Sequence, residues 1–445
     1  MNRWLAVLLV FSPAVHANTT VPAPPPADWL VIRGATIHTV TGETIVDGTL
    51  IVNEGKIEAI VGPDSIFTGF PTTTDLNDVA TVELDSLHVY PGLIAANTVL
   101  GLVEIQAVRA TVDVSEPGPI NPNTRADIAI NPDSENFPVA RANGVLLALT
   151  TPLTSGSLIA GRSAAIQLDG WTTEDMTLEA PIGMHITLPN LRIPDAIEGA
   201  QRRRIAEQRD ERLALLETSF EQALAYRQAK QTGNLIEIDR RWEAMIPVFD
   251  RVLPVFAHVD ELIQIRYALR LADEFEFDLV IVGGADAWRI ADVLAERDVP
   301  VIVTAVHNPP QRRWENYATP SENPVRLHEA GVRVAIASLG GTFEAPHERN
   351  LPYEAAEAVA WGLAPEEALR MITLYPAQIL GIDDRVGSLE VGKDATFIVT
   401  DGDPLDIRTQ VLRAYVQGRE IDLSSRHSAL DAKYSERLRR LAASP

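Results

Sequence analysis

The sequence predicts an α/β protein: a (β/α)8 TIM-like barrel with a β-sandwich domain built from both chain ends. Three observations carry this. Over residues 91–380, short continuous apolar runs alternate with amphipathic helical stretches, the pattern of strands buried on both faces and covered by helices. On either side of that span, β-branched runs are broken by turn dipeptides. And 445 residues are enough for one large barrel with an appendage.

The elements follow in chain order. Residues 1–17, MNRWLAVLLVFSPAVHA, have a basic Arg3, an apolar stretch from Trp4 to Phe11 and small residues around Ala17. They read as a secretory signal cleaved after Ala17, with a membrane anchor or a buried helix as the alternative. Residues 18–28 are Pro-rich and read as an extended linker. Residues 29–90 form the N-terminal part of the β-sandwich, with turns at Thr41-Gly42, Asp47-Gly48 and Glu54-Gly55.

The barrel runs are GVLLALTTP, SAAIQLDG, LPVFAHV, FDLVIVGG, VPVIVTA and VRVAIAS. All are expected as parallel strands. The charged segment 193–245 reads as helix; Arg202-Arg203-Arg204 lies among acids and reads as a solvated face rather than a binding patch. Residues 381–423 return to strand-and-turn sequence and complete the sandwich, and 424–445 read as a helical tail.

A formal net charge of −23 repels phosphate backbones and argues against a nucleic-acid partner. Without Cys there are no disulfides and no thiolate metal sites. Signal cleavage would leave a chain with no further membrane segment, exported across the inner membrane to the periplasm.

LHVYPGLIAANTVLG and TLYPAQILGIDDRVGSLEVGKDATFIVTDGDPLD resemble the amidohydrolase superfamily, nearest its imidazolonepropionase-related, exported branch. The resemblance implies a distorted barrel, a split β-sandwich and metal-dependent hydrolysis of carbon–nitrogen bonds where the site is intact. In that family, strand 1 reads Pro-Gly-Leu-Ile-Asp-x-His-x-His, and residues i and i+2 of a strand share a side. Here the positions hold Ala95, Asn97 and Val99. The strand-5 histidine is matched by His258. The strand-6 histidine falls at Gly283-Gly284, and the strand-8 aspartate at Leu339, after Ser338. A catalytic zinc takes three protein ligands, so the family metal site reads as largely lost; a single divalent zinc is the only cofactor left to consider.

The candidate barrel-mouth residues are Asn97, His258, His307 and Ser338. His258, His307 and His347 are a further combination for a non-family metal site. His38 and His88 fall in or near the β unit, His185 in the loop-like run GMHITLP, His328 in a helical turn and His427 in the tail. Ser155-Gly156-Ser157 and Gly161-Arg162-Ser163 read as a turn between strands. There is no Gly-x-Ser-x-Gly, no phosphate-binding Gly-x-x-x-x-Gly-Lys-Ser/Thr and no His-Glu-x-x-His. Two functions stay open: a hydrolase of carbon–nitrogen bonds with an altered site, and a non-catalytic amidohydrolase-like protein that binds a small molecule or partners an active relative as a hetero-oligomer. A homodimer is expected from the resemblance alone.

Overall fold

The computed structural model describes residues 21–443, except 64, 66, 73, 75–78, 155, 235, 236 and 305. The signal and its cleavage point, and Ser155, therefore lie outside the described residues. Five strands come first: β1 (Trp29–Ile37), β2 (Ile45–Asn53), β3 (Lys56–Val61), β4 (Ala80–Glu83) and β5 (His88–Pro91). The central span holds β6 (Leu93–Thr98), β7 (Val145–Thr150), β8 (Ile159–Arg162), β9 (Ala164–Gln167), β10 (Thr177–Glu179), β11 (Met184–Thr187), β12 (Val255–Val259), β13 (Leu279–Gly283), β14 (Val301–Thr304) and β15 (Val334–Ala337). The chain ends with β16 (Phe397–Thr400), β17 (Val411–Val416), β18 (Arg419–Glu420) and the helix Arg426–Ala442.

The terminal strands hydrogen-bond as one eight-stranded sheet, in which β16 joins the C-terminal strands to β5 of the N-terminal set. The bridge between Lys56 and Asp394 brings β3 back against the approach to β16, so the sheet curls over its own core of Ile32, Leu50, Val89, Phe397 and Tyr415.

The central strands ring a barrel. β6 and β7 are parallel, and so are β11, β12, β13, β14 and β15 in succession. One place departs from expectation. SAAIQLDG is not a parallel strand: β9 runs antiparallel to β7, and β8 runs antiparallel to β11. Residues 159–167 thus fill the third place of the ring backwards, and Gly161-Arg162 belong to a strand rather than a turn. The apolar run encodes burial on both faces, not direction.

Side-chain parity separates two packing layers. Ile94, Ala96, Leu147, Leu149, Phe256, Val280, Val282, Ile302, Ala335 and Ala337 pack together inside the ring. Leu93, Ala95, Val255, Ala257, Ile281 and Val334 pack outward with helix residues such as Ile265, Leu294 and Ala358. The helix Leu374–Leu380 closes the N-terminal end of the ring, its Ala377, Ile379 and Leu380 joining the inner layer. The other end, where the strands finish, is left for a site.

The Pro-rich segment does not hang free. Ala23 is buried and donates its N–H to the Asp169 carboxylate, at 3.3 and 3.4 Å. Asp169 also pairs with Arg141 and Arg419.

The joined β domain yields a stability test. Phe397 is fully buried and stacks on Tyr415 with centroids 4.5 Å apart. Phe397→Ala is expected to remove about 3–5 kcal/mol from the unfolding free energy, measured by urea denaturation; a loss below about 1 kcal/mol would mean the sheet does not depend on this contact.

Candidate functional site

The four candidate residues fall into three separate places. Asn97 and Ser338 meet at the seam between β6 and β15. The Asn97 amide donates to the Ser338 carbonyl at 3.2 Å, and the Ser338 hydroxyl donates to Glu348 Oε1 at 2.6 Å. Glu348 comes from the 3-10 helix Ala345–Asn350 that follows β15. It is buried, and its Oε2 has no hydrogen-bond partner. Burial pushes its carboxyl up to about 7, against the opposing pull of the Ser338 and Thr98 hydroxyls.

Val99 packs with Leu93 and Ala95 in the outer apolar layer. Positions 97 and 99 therefore have different surroundings: Asn97 is tied to β15 and Val99 is packed among hydrocarbons. Gly340, at φ +71°, passes so close that a Cβ there would lie 2.3 Å from Asn97 Nδ2; only glycine fits.

His258 is at the second place, and His185 is with it. GMHITLP is a strand, not a loop: β11 carries His185 into the barrel interior, wholly buried and stacked on Phe256. His185 Nδ1 and His258 Nε2 share a hydrogen bond of 2.8 Å. One ring donates and the other accepts, which requires at least one neutral imidazole. Burial lowers His258 to about 4, and burial together with the neighbouring ring takes His185 lower than its ordinary value by a wide margin. His185 Nε2 is buried without a partner.

His307 is at the third place. It is exposed, its backbone N–H donates to Glu354 at 3.0 Å, and its ring lies 3.7 Å from Glu357. His347, on the 3-10 helix, turns Nδ1 to the Phe343 carbonyl at 2.9 Å. The structure thus gives His258, His307 and His347 separate partners. His38 and His88 hydrogen-bond each other at 3.0 Å beside Tyr90 in the β domain. Among the described residues no group of three or more His, Asp or Glu side chains is arranged to hold a metal ion. The residue types and their commitments at positions 97, 99, 284 and 339 do not fit the family metal.

The mouth does hold a cavity of about 350 Å³, over the ends of β12 to β15. Asp260 follows β12, Ala285 follows β13, Thr304 ends β14 and Leu339 follows β15. Leu339 and Asn308 continue it into a smaller cleft beside Ser338. Asp260 has its pKa raised by burial, and the charges of Asp286 and Glu261 add to the rise. Sequence reasoning missed Asp260, Asn323, His185 and Glu348. Asp260 alone had a signal, an acid two places after His258 at the end of an apolar run. Asn323 sits mid-helix with no pattern to mark it.

Residues 314–424 match the amidohydrolase family; Asn97 and His258 lie outside the matched segment. Over 126 residues the chain is 40% identical to an N-substituted formamide deformylase of Arthrobacter pascens, covering 24% of this chain and 22% of that protein. Over 92 residues it is 38% identical to an imidazolonepropionase of Shewanella baltica, 21% of each chain. The matched part spans about a fifth of the length of these curated relatives. An amidohydrolase from Thermotoga maritima superposes with a TM-score of 0.76 at 25% identity, covering 88% of this chain and 99% of that one.

Glu348 yields a pH test. A carboxyl raised from 4.5 to about 7 on folding adds stability in full below the unfolded value and loses it as pH rises through the folded one. Glu348→Gln removes this titration. Its unfolding free energy relative to wild type is expected to improve by about 3 kcal/mol between pH ~4.5 and ~8, followed by chemical denaturation across that range; parallel profiles would contradict it.

Proposed function

We propose, from the premise that the chain is an amidohydrolase-superfamily protein, that it uses the family barrel to bind a small polar molecule, not to hydrolyse one at a family-type metal centre. One observation carries this: the strand-1 positions that would chelate a metal are engaged elsewhere, Asn97 on the Ser338 carbonyl and Val99 in apolar packing. The two imidazoles inside the barrel, His185 and His258, are engaged with each other and are fewer than the three protein ligands that a catalytic zinc takes.

What remains at the mouth supports binding. The cavity over β12 to β15 brings a carboxylate, a hydroxyl and amides together against proline and leucine walls, the mixed apolar and polar lining of small-ligand sites. The residues do the work of holding and orienting. Asp260 supplies charge, Asn323 and Thr304 supply hydrogen bonds, and Leu339 covers one side.

The relatives named as a deformylase and an imidazolonepropionase support the other reading, hydrolysis of a carbon–nitrogen bond. Its one anchor in this chain is the His185–His258 pair, two imidazoles inside the barrel. Elemental mass spectrometry separates the two readings. The protein is purified without a His tag, equilibrated with zinc, desalted and measured beside His258→Ala. The binding reading expects substoichiometric zinc, equal in both proteins. Near-stoichiometric zinc that falls in the variant would overturn it.

A further inference from the structure

The cavity at the mouth is short of positive charge. Asp260 and Glu315 line it, and Glu261 and Asp286 stand within reach of Arg312 on its wall. Arg312 is committed to both oxygens of Asp286, at 2.8 and 2.7 Å, and to Glu315. Arg289 also pairs with Asp286 and reaches toward Glu315. Among the described residues no cation lies within 4 Å of Asp260. Its neutral donors are the Ala285 N–H, at a long 3.4 Å, and the Gln311 side chain.

The cavity is also short of donors. Asn323 lines it and is only 2% exposed. Its Nδ2 donates to the Gly284 carbonyl at 3.0 Å, which leaves Oδ1 as the free end, buried and without a partner. A buried acceptor left unpaired is unfavourable, and so is a half-buried carboxylate without a counter-ion. One ligand answers both shortages if it brings a positive charge and several N–H groups.

Building on the reading of this mouth as a binding pocket, we propose that it takes a compact organic cation: an amidinium or ammonium group on a flat apolar body, with Asp260 as counter-ion and Asn323 Oδ1 as second acceptor. Pro309, Pro320 and Leu339 give the apolar body its walls. The cavity volume, about 350 Å³, suits a small ligand. An anion would meet Asp260 and Glu315, and a neutral amide would leave Asp260 unneutralised.

Calorimetric titration of the full chain with benzamidine, benzamide and benzoate, three probes of one shape, tests this. Benzamidine is expected to bind at least about tenfold tighter than benzamide, the step that separates charged from neutral hydrogen bonds, and benzoate not at all. Asp260→Asn is expected to remove that advantage, read as the ratio of benzamidine to benzamide affinity. A thermal melt confirms that the variant folds, and the comparison of probes on wild type needs no variant. Equal binding of benzamide and benzamidine would overturn the cation assignment and leave the binding pocket standing. No binding of benzamidine, or an undiminished advantage in Asp260→Asn, would also overturn it. Zinc content, read separately, decides the broader function.

Discussion

The constraint on which the rest depends is closure of the barrel between its first and last strands. β6 and β15 share no hydrogen-bonded ladder; they belong to separate sheets. Residues 371 and 372 bridge them instead, Met371 accepting from the Ile336 N–H and Ile372 from the Ile94 N–H, both at 2.9 Å. At the upper end of the seam the Asn97 amide takes over, holding the Ser338 carbonyl across 241 positions of sequence. Glycine at 340 lets the backbone pass beside Asn97, and Glu348 accepts from the Ser338 hydroxyl. A buried peptide carbonyl without a partner would be unfavourable there, so the Asn97 amide has a structural role at the seam.

This closure moves the available chemistry around the ring. Groups near the seam and in the interior are shifted toward their uncharged forms: the paired imidazoles chiefly by burial, and Glu348 by burial that raises its pKa. A low-dielectric interior favours the uncharged form of each. The charged groups collect instead over β12 to β15, where the Asp286–Arg312–Glu315 network orders the loop after β14 and Asp260 is left on the cavity wall. The protein's closed side and its open side are therefore different quarters of one mouth.

Much of this was legible in the sequence. Continuous apolar runs marked the parallel strands because burial on both faces leaves no polar alternation. The turn dipeptides marked strand-and-turn sequence outside the barrel span, and PGLIAANTVLG marked the start of the first barrel strand, β6. What escaped depends on long-range geometry. The direction of 159–167 is set by its neighbours β7 and β11, not by its composition. His185 lay in a run too short to distinguish strand from loop. Asn323 matters through one orphaned oxygen, and nothing in the order of residues reports which end of an amide is engaged.

The central claim is that the strand-1 and strand-5 ends no longer form a metal site. The most direct test is crystallography with anomalous diffraction at the zinc edge, on crystals grown with zinc. The account predicts no anomalous peak at Asn97, His185 or His258, with the His185–His258 hydrogen bond intact. A peak about 2.0–2.1 Å from nitrogens of both His185 and His258, the length of a zinc–imidazole bond, would contradict it.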